Sequence, residues 1–370
     1  MNHDQTEQDE QALPDSAWVA ALLSLPKMGP RRLDTIVEQT GNSEAAWHNI
    51  TSNASLRLEG IGRDLVATWR EAAINFDVAD RWAAMAALGI SATVPGDANF
   101  PSRLLDDPHR PRILFQRGRL RAGPTVGIVG TRSCTAYGQR CAFEFGRELV
   151  RAGVSVVSGL ALGIDAAAHQ GALADTEAAG QPIGVVGSGL DVVYPKRNQA
   201  LWERVGQMGA LISETPPGIK PAAWRFPARN RIIAALSDAV IVVESHERGG
   251  SLLTVDEAQL RDVPVGAIPG PITSAAASGT NRLLADGATP VIGVDDIFAM
   301  IGFSPPAVID TTTPESVGGA VLDALGWSPL LFEQLCLRVT LSAAELAAEI
   351  ENLCLRGVIE RRGPWIERVQ

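Results

Sequence analysis

Arg132, Lys196, Arg229 and Arg231, with the aromatic residues Trp224 and Phe226 close by, are the side chains of this sequence best suited to holding an anion. Arg132 and Lys196 lie in glycine-rich turns that follow short apolar runs. VGIV leads into GTRS (Gly130 to Ser133), VSVV into SGLALGID (Ser158 to Asp165), IGVV into GSGLDVVYPKRN (Gly187 to Asn198) and AVIVVE into SHERGGSL (Ser245 to Leu252). Glycine permits positive φ and close backbone approach, and a helix that starts in such a turn offers unpaired N–H groups and a partial positive charge. Four such turns at the ends of strands of one sheet describe a surface for phosphates.

At the carboxyl ends of those strands stand Arg132, Asp165, His169, Lys196, Arg197 and Asn198, followed by FPARNR (Phe226 to Arg231). Arginines interleaved with aromatic faces suit single-stranded nucleic acid, whose phosphates need cations and whose bases need stacking platforms. Each residue also has a plainer role open to it. Arg132 can neutralise a carboxylate. Asp165 and Asn198 can be helix caps, and Asp165 and His169 are spaced to pair on one helix face. Phe226 can belong to the core.

Other chemistries lack their signatures. GTRS is not G-x-G-x-x-G, and no acidic residue closes a second strand for a ribose, so a dinucleotide site is not expected. None of the three lysines, Lys27, Lys196 and Lys220, ends a G-x-x-x-x-G-K segment, which removes the P-loop. Ser188 lies in GSG but not in G-x-S-x-G, and His169 has no evident serine partner, so no catalytic residue is assigned. The four cysteines form no C-x-x-C pair and the five histidines are scattered, so no metal and no cofactor are expected, and reduced thiols fit a cytoplasmic protein.

The elements that must position these residues can be read from periodicity. Short β-branched runs apolar on both faces are expected as buried parallel strands at Val126 to Val129, Ser155 to Val157, Ile183 to Val186, Leu211 to Ser213, Ala239 to Val243 and Val265 to Ile268. Helices alternate with them, which implies a doubly wound α/β sheet of extended Rossmann type. This region is taken as 76–302, and its first part carries a helix at Val78 to Leu88 and two short strands near Ser91 to Val94 and Ile113 to Gln116. Residues 1–14 are a polar, acidic tail without a secretory signal. Residues 15–75 form a small helical domain in which LSLPKMGPRRLDTIVEQ (Leu23 to Gln39) and LRLEGIGRDLVATWR (Leu56 to Arg70) resemble helix–hairpin–helix units, the second more closely than the first. Such hairpins grip phosphates or serve structure alone. Residues 303–317 read as a linker. Residues 318–370 read as a winged helix whose recognition-type helix carries Glu345, Glu349 and Glu351, a composition that favours a structural or protein-binding role over a DNA groove.

The charge is distributed unevenly. The net charge is −10, but residues 1–109 hold 8 basic and 16 acidic side chains, residues 110–300 hold 19 and 17, and residues 301–370 hold 5 and 9. The centre is slightly basic and the ends acidic. Hydrophobic content of 46% with no run long enough to span a bilayer fits a globular, non-membrane protein.

In order and spacing, GTRS, VSGLALGIDAAAHQGAL, GVVGSGLDVVYPKRN, LISETPPG, FPARNRIIAALSDAVIVVE, RGGSLLT, AIPG and GTNRLLADGA closely resemble the DNA-processing protein A family (DprA, also called Smf). The resemblance covers residues 15–370 and is densest over 125–290. It implies an extended Rossmann domain preceded by a sterile-alpha-motif-like domain and followed by a winged helix. It also implies a cytoplasmic, non-enzymatic, dimeric protein that binds single-stranded DNA in natural transformation, protects it and loads the RecA recombinase. The family motifs fall on Gly130, Thr131 and Arg132; on Ser158, Gly159, Gly163 and Asp165; on Lys196 and Asn198; on Phe226, Arg229, Asn230 and Arg231; and on Gly249 and Ser251. By resemblance these line the DNA site. Thr131 replaces the usual serine, Leu162 stands where many relatives carry Lys or Arg, and Gly250 and Val255 replace Ser and Ala. The rival reading is a nucleotide 5′-phosphate phosphoribohydrolase of the lysine-decarboxylase-like Rossmann group, whose P-G-G-x-G-T-x-x-E is matched here only by ERGGSLLTVDE.

Overall fold

The computed structural model describes residues 12–52, 55–305, 317–326 and 329–368. Most of the expected tail and of the expected linker lies outside them. The chain divides into two compact units, 1–306 and 307–370.

The first unit opens with five helices: α1 (Asp15–Leu23), α2 (Pro30–Thr40), α3 (Ser43–Ser52), α4 (Arg63–Ala73) and α5 (Val78–Ala87). Gly29 precedes Pro30 at the start of α2, where a missing N–H costs nothing, and the Asp77 carboxylate caps α5 by accepting from the Asp80 N–H. Trp69 is fully buried and its indole N–H donates to the Pro26 carbonyl. The helices do not close a core of their own. Leu22, Ile36, Ile50 and Trp69 belong to one apolar cluster with Phe115, Leu160, Trp202 and Leu211 of the sheet region. The Arg112–Asp34 ion pair ties α2 to the strand that follows.

The sheet has nine strands: β1 (Ile90–Thr93), β2 (Leu114–Gly118), β3 (Thr125–Val129), β4 (Ser155–Ser158), β5 (Pro182–Val185), β6 (Ala210–Ser213), β7 (Ala239–Val242), β8 (Val265–Ala267) and β9 (Thr289–Pro290). Their order is β1-β2-β6-β5-β4-β3-β7-β8-β9. From β6 to β9 every pairing is parallel, while β2 runs antiparallel to β6 and β1 antiparallel to β2. The two strands of the expected connector therefore extend the main sheet and make it mixed. β3 through β7 are buried throughout, as helices on both faces require.

The crossing helices are α6 (Ala136–Arg151), α7 (Ile164–Ala172), α8 (Gln199–Met208), α9 (Arg225–Leu236), α10 (Leu252–Gln259), α11 (Ser278–Ala285) and α12 (Val294–Met300). The chain leaves β3 toward β4 on one side and returns to β7 on the other, so the strand order reverses between β3 and β7. A crevice opens at the carboxyl ends of strands at such a switch point. Among the described residues no helix is long and apolar enough to cross a membrane.

The second unit holds α13 (Val317–Leu325), β10 (Leu330–Leu331), α14 (Phe332–Cys336), α15 (Ala343–Leu355), β11 (Ile359–Arg362) and β12 (Trp365–Arg368). Its strands pair in the order β10-β12-β11, a winged-helix arrangement with the turn at Gly363 as its wing. Glu345 is spent on capping: its carboxylate accepts from the Ser342 N–H while the Ser342 hydroxyl accepts from the Glu345 N–H. These bonds hold the Glu345 carboxyl below its usual range.

Candidate nucleic-acid interface

A cavity of about 630 Å³ lies at the switch point. The turn after β3 (Gly130, Thr131, Arg132) and the segment that opens α10 (Gly249, Ser251, Thr254) form two of its sides, and Tyr194 and α9 form another. The turn after β3 is fixed by backbone bonds across the switch point, because Thr131 N–H donates to the Glu244 carbonyl and Val243 N–H to the Val129 carbonyl.

Arg132 is exposed, and no ion pair involves it among the described residues. Its guanidinium stands 5.3 Å from the centre of the Phe226 ring. Phe226 is half-buried and stacks on Tyr194, with ring centres 5.5 Å apart and planes inclined at 30°. The cation is therefore held over an aromatic pair with its N–H groups unspent, a platform on which a base can stack while a phosphate meets the charge. Lys196, also exposed, directly follows Pro195, which with Arg132, Gly159, Tyr194 and Phe226 lines a small adjoining cavity.

FPARNR separates into three roles. Phe226 and Asn230 face the cavity. Arg229 is buried: its guanidinium donates to the Val185 carbonyl and feels the charge of the Asp165 carboxylate, with no ion pair between the two among the described residues. Burial lowers the Arg229 pKa against the pull of Asp165, and burial likewise pushes the Asp165 carboxyl up against the pull of Arg229. Gly159 explains why an arginine fits here, since a Cβ at that position would collide with the guanidinium. Arg229 thus braces α9 to the 159–165 turn from the floor of the cavity, which it also lines. Arg231 turns to the other face of α9 and pairs with Glu214.

Several other expected residues shape the loops. The Ser158 hydroxyl donates to the Ile128 carbonyl in the core. Gly163 has φ 80 and precedes α7, with the Thr131 carbonyl where a side chain would be. Asn198 precedes α8 but makes no capping bond. Its side-chain amide donates to the Leu160 and Ala161 carbonyls, which clamps the YPKRN segment to the 159–165 turn. Asp165 accepts from the Ala161 N–H rather than pairing with His169, and His169 is wholly buried, which drives its pKa down to about 4. A neutral, enclosed imidazole is no proton shuttle near pH 7. The buried Ser188 hydroxyl donates to the Val192 carbonyl.

The residue that spacing did not single out is Glu244. Buried at the end of β7, its carboxylate accepts from the Thr135 N–H at 2.8 Å and from the Thr135 hydroxyl at 2.6 Å. It lies on the first turn of α6, where Gly138 leaves room for it. The helix start at which a Rossmann fold seats a pyrophosphate is already filled by an internal anion. The expectation that an anion at Arg132 would also meet free N–H groups of α6 is corrected accordingly. The signal was present in AVIVVE, an acid closing a buried strand opposite a helix start. Among the described residues no cluster of His, Cys, Asp or Glu could hold a metal ion.

Strand order, crevice and second unit define an extended Rossmann-type protein with a winged helix and a crevice rim that carries exposed cations. The family model described as DNA recombination-mediator protein A matches residues 91–302, and the DprA winged helix domain matches 303–363. The chain belongs to the DNA recombination-mediator protein A family. It is 41% identical over 221 residues to the putative DNA processing protein DprA of Mycobacterium tuberculosis H37Rv, covering 59% of this chain and 55% of that protein. It is 40% identical over 209 residues to DprA of Streptococcus pneumoniae R6, covering 56% and 73%. The match thus spans about half the length of the mycobacterial relative. The X-ray structure of Streptococcus pneumoniae DprA superposes with a TM-score of 0.61 at 30% identity, over 78% of this chain and 98% of that one. The Helicobacter pylori DprA structure, described by its single-stranded DNA binding mode, superposes with a TM-score of 0.51 at 30% identity, over 57% and 95%.

Proposed function

We propose that this chain binds single-stranded DNA without catalysing a reaction on it. The observation that carries this reading is the Arg132 guanidinium, without an ion pair among the described residues and held over the Phe226–Tyr194 stack at the switch-point cavity. Phosphates meet Arg132 and Lys196, bases stack on the aromatic pair, and Gly130, Thr131, Asn230, Gly249 and Ser251 line the approach. Glu244 keeps nucleotide pyrophosphates out of the inner helix start, so the ligand lies along the rim. Gly159, Gly163, Asp165, Asn198, Ser158 and Arg229 hold the loops in register. Family membership and the single-stranded DNA mode described for the Helicobacter pylori relative support the reading.

The same reading places the protein in the cytoplasm during natural transformation, as a homodimer that protects incoming strands and loads RecA. We assign the dimer surface to the late core helices, Leu252 to Leu260 and Asn281 to Ala285, where Leu260, just after α10, is an exposed apolar residue.

The test is fluorescence anisotropy with labelled oligo-dT. Arg132→Ala with Lys196→Ala should remove two phosphate contacts, lowering the salt slope by about 1.4 at roughly 0.7 per contact on a single strand. Unchanged affinity and slope would remove the site from this crevice.

A further inference from the structure

A second basic cleft lies on the far side of α9, between it and the amino-terminal helices. It encloses about 1150 Å³, more than the roughly 300–1,000 Å³ typical of a small-molecule pocket. Arg31, Arg32, Arg110, Arg112 and Arg231 line it. Its carboxylates are Asp34, Asp106 and Asp107. Asp34 is held by Arg112 and Asp107 by Arg261, which leaves Asp106 as the one lining carboxylate without an ion pair among the described residues. Arg112 and Arg231 are paired, but Arg31, Arg32 and Arg110 are exposed and form no ion pair among the described residues. The Arg231 Nη1 is buried and without a protein hydrogen-bond partner.

The cleft is not isolated. A smaller cavity of about 260 Å³, lined by Trp224, Arg225, Arg112 and Arg231, joins it to the root of α9. Trp224 there is 67% exposed, and the Arg225 guanidinium sits 4.7 Å from its ring centre. This repeats the cation-over-aromatic arrangement of Arg132 and Phe226, one residue pair along the same helix start. The path thus runs from Arg132 and Phe226, over Trp224 and Arg225, to Arg31, Arg32 and Arg110. The first hairpin, at Gly29-Pro30, opens on this cleft, whereas the second hairpin's Glu59 backbone is occupied by the Gln39 side chain.

We propose that the cleft between the start of α2, the 105–112 segment and the outer face of α9 takes the continuation of the DNA strand bound at the switch point. This rests on the single-strand reading above and extends it from one crevice to a track around α9. A solvated surface that merely docks the helices does not account for three arginines without an ion pair among the described residues that face one opening, Arg32 and Arg110 each spending one N–H on a backbone carbonyl, and that are joined to the first site by an exposed tryptophan.

The experiment titrates the full chain with labelled oligo-dT of about 6 and about 20 nucleotides, bracketing the site size of a single-strand-binding fold. In Arg31→Ala with Arg110→Ala, affinity for the longer strand should fall about tenfold and its salt slope by about 1.4, with the shorter strand bound as before. Asp106→Asn should tighten the longer strand about threefold, since it removes an unpaired carboxylate from the path. Equal affinity and slope for the longer strand in the arginine variant would overturn the proposal, as would an equal loss on the short strand. A parent chain that binds neither length overturns the single-strand reading itself, which separates the two failures.

Discussion

Arg229 provides the sharpest separation between a contact to the ligand and a brace beneath it. Resemblance assigns it to the DNA site, whereas its guanidinium is buried, bonded to the Val185 carbonyl and within the field of Asp165. Arg229→Ala removes from the buried Asp165 carboxylate the larger of its two arginine charges, Arg132 supplying the other, and uncompensating a buried charge costs up to about 3–5 kcal/mol. Asp165 can escape part of that cost by taking a proton, which its raised pKa already favours, so the lower end of the range is expected. A loss of about 3 kcal/mol moves a urea midpoint by roughly 1 M or more for m-values of about 1–3 kcal/mol/M. Asp165→Ala should be destabilising as well, and the double variant should recover about 2 kcal/mol relative to the sum, as contacting pairs do. The assay is urea unfolding of the four members of the cycle. It is paired with oligo-dT anisotropy under conditions where each is folded. An Arg229→Ala variant with an unchanged midpoint and a salt slope reduced by about 0.7 would refute the brace and make Arg229 a phosphate ligand.

Phe226→Ala should weaken oligo-dT by about 1–3 kcal/mol while leaving the salt slope intact, because it removes a stacking face and no charge; Phe226→Tyr should restore most of the affinity, and anisotropy at several salt concentrations reads both. His169 gives a pH signature. The unfolded chain protonates it near 6.5 and the folded one only near 4, so stability should fall as pH drops from 6.5 to about 4 and level off below, by roughly 3 kcal/mol at 1.36 kcal/mol per unit. His169→Gln should flatten that part of the profile in thermal unfolding, leaving only the carboxylates. Glu244→Ala should cost about 1–3 kcal/mol by orphaning the Thr135 donors at the start of α6, measured by urea unfolding.

The alternation of strand and helix was legible because β3 to β8 are short apolar runs, several of them closed by a glycine-rich turn. The observed β3 to β8 lie within a residue or so of the expected spans. That β1 and β2 join the same sheet was not legible, because the antiparallel pairing of β2 with β6 joins residues nearly a hundred positions apart and leaves no local pattern. The two-residue β9 is too short to show a period. At the site, residue type marked Arg132, Lys196 and Phe226 as candidates, since exposure and charge suit them to one task. It could not tell Arg229 from Arg231, two arginines on one helix that face opposite sides with different carboxylates. Nor could it tell that Asn198 clamps a loop instead of capping α8, a difference set by where the 159–161 carbonyls come to rest. Glu244 was hidden because its partners, Thr135 and Gly138, lie more than a hundred residues away.

The most direct measurement is a titration of the full chain with one labelled oligonucleotide, single-stranded and then annealed to its complement, at about 50 and about 200 mM salt. The account predicts tight single-strand binding that weakens steeply with salt, and much weaker duplex binding, because paired bases cannot reach the Phe226–Tyr194 stack. Equal affinity for the two forms, or single-strand binding indifferent to salt, would contradict it.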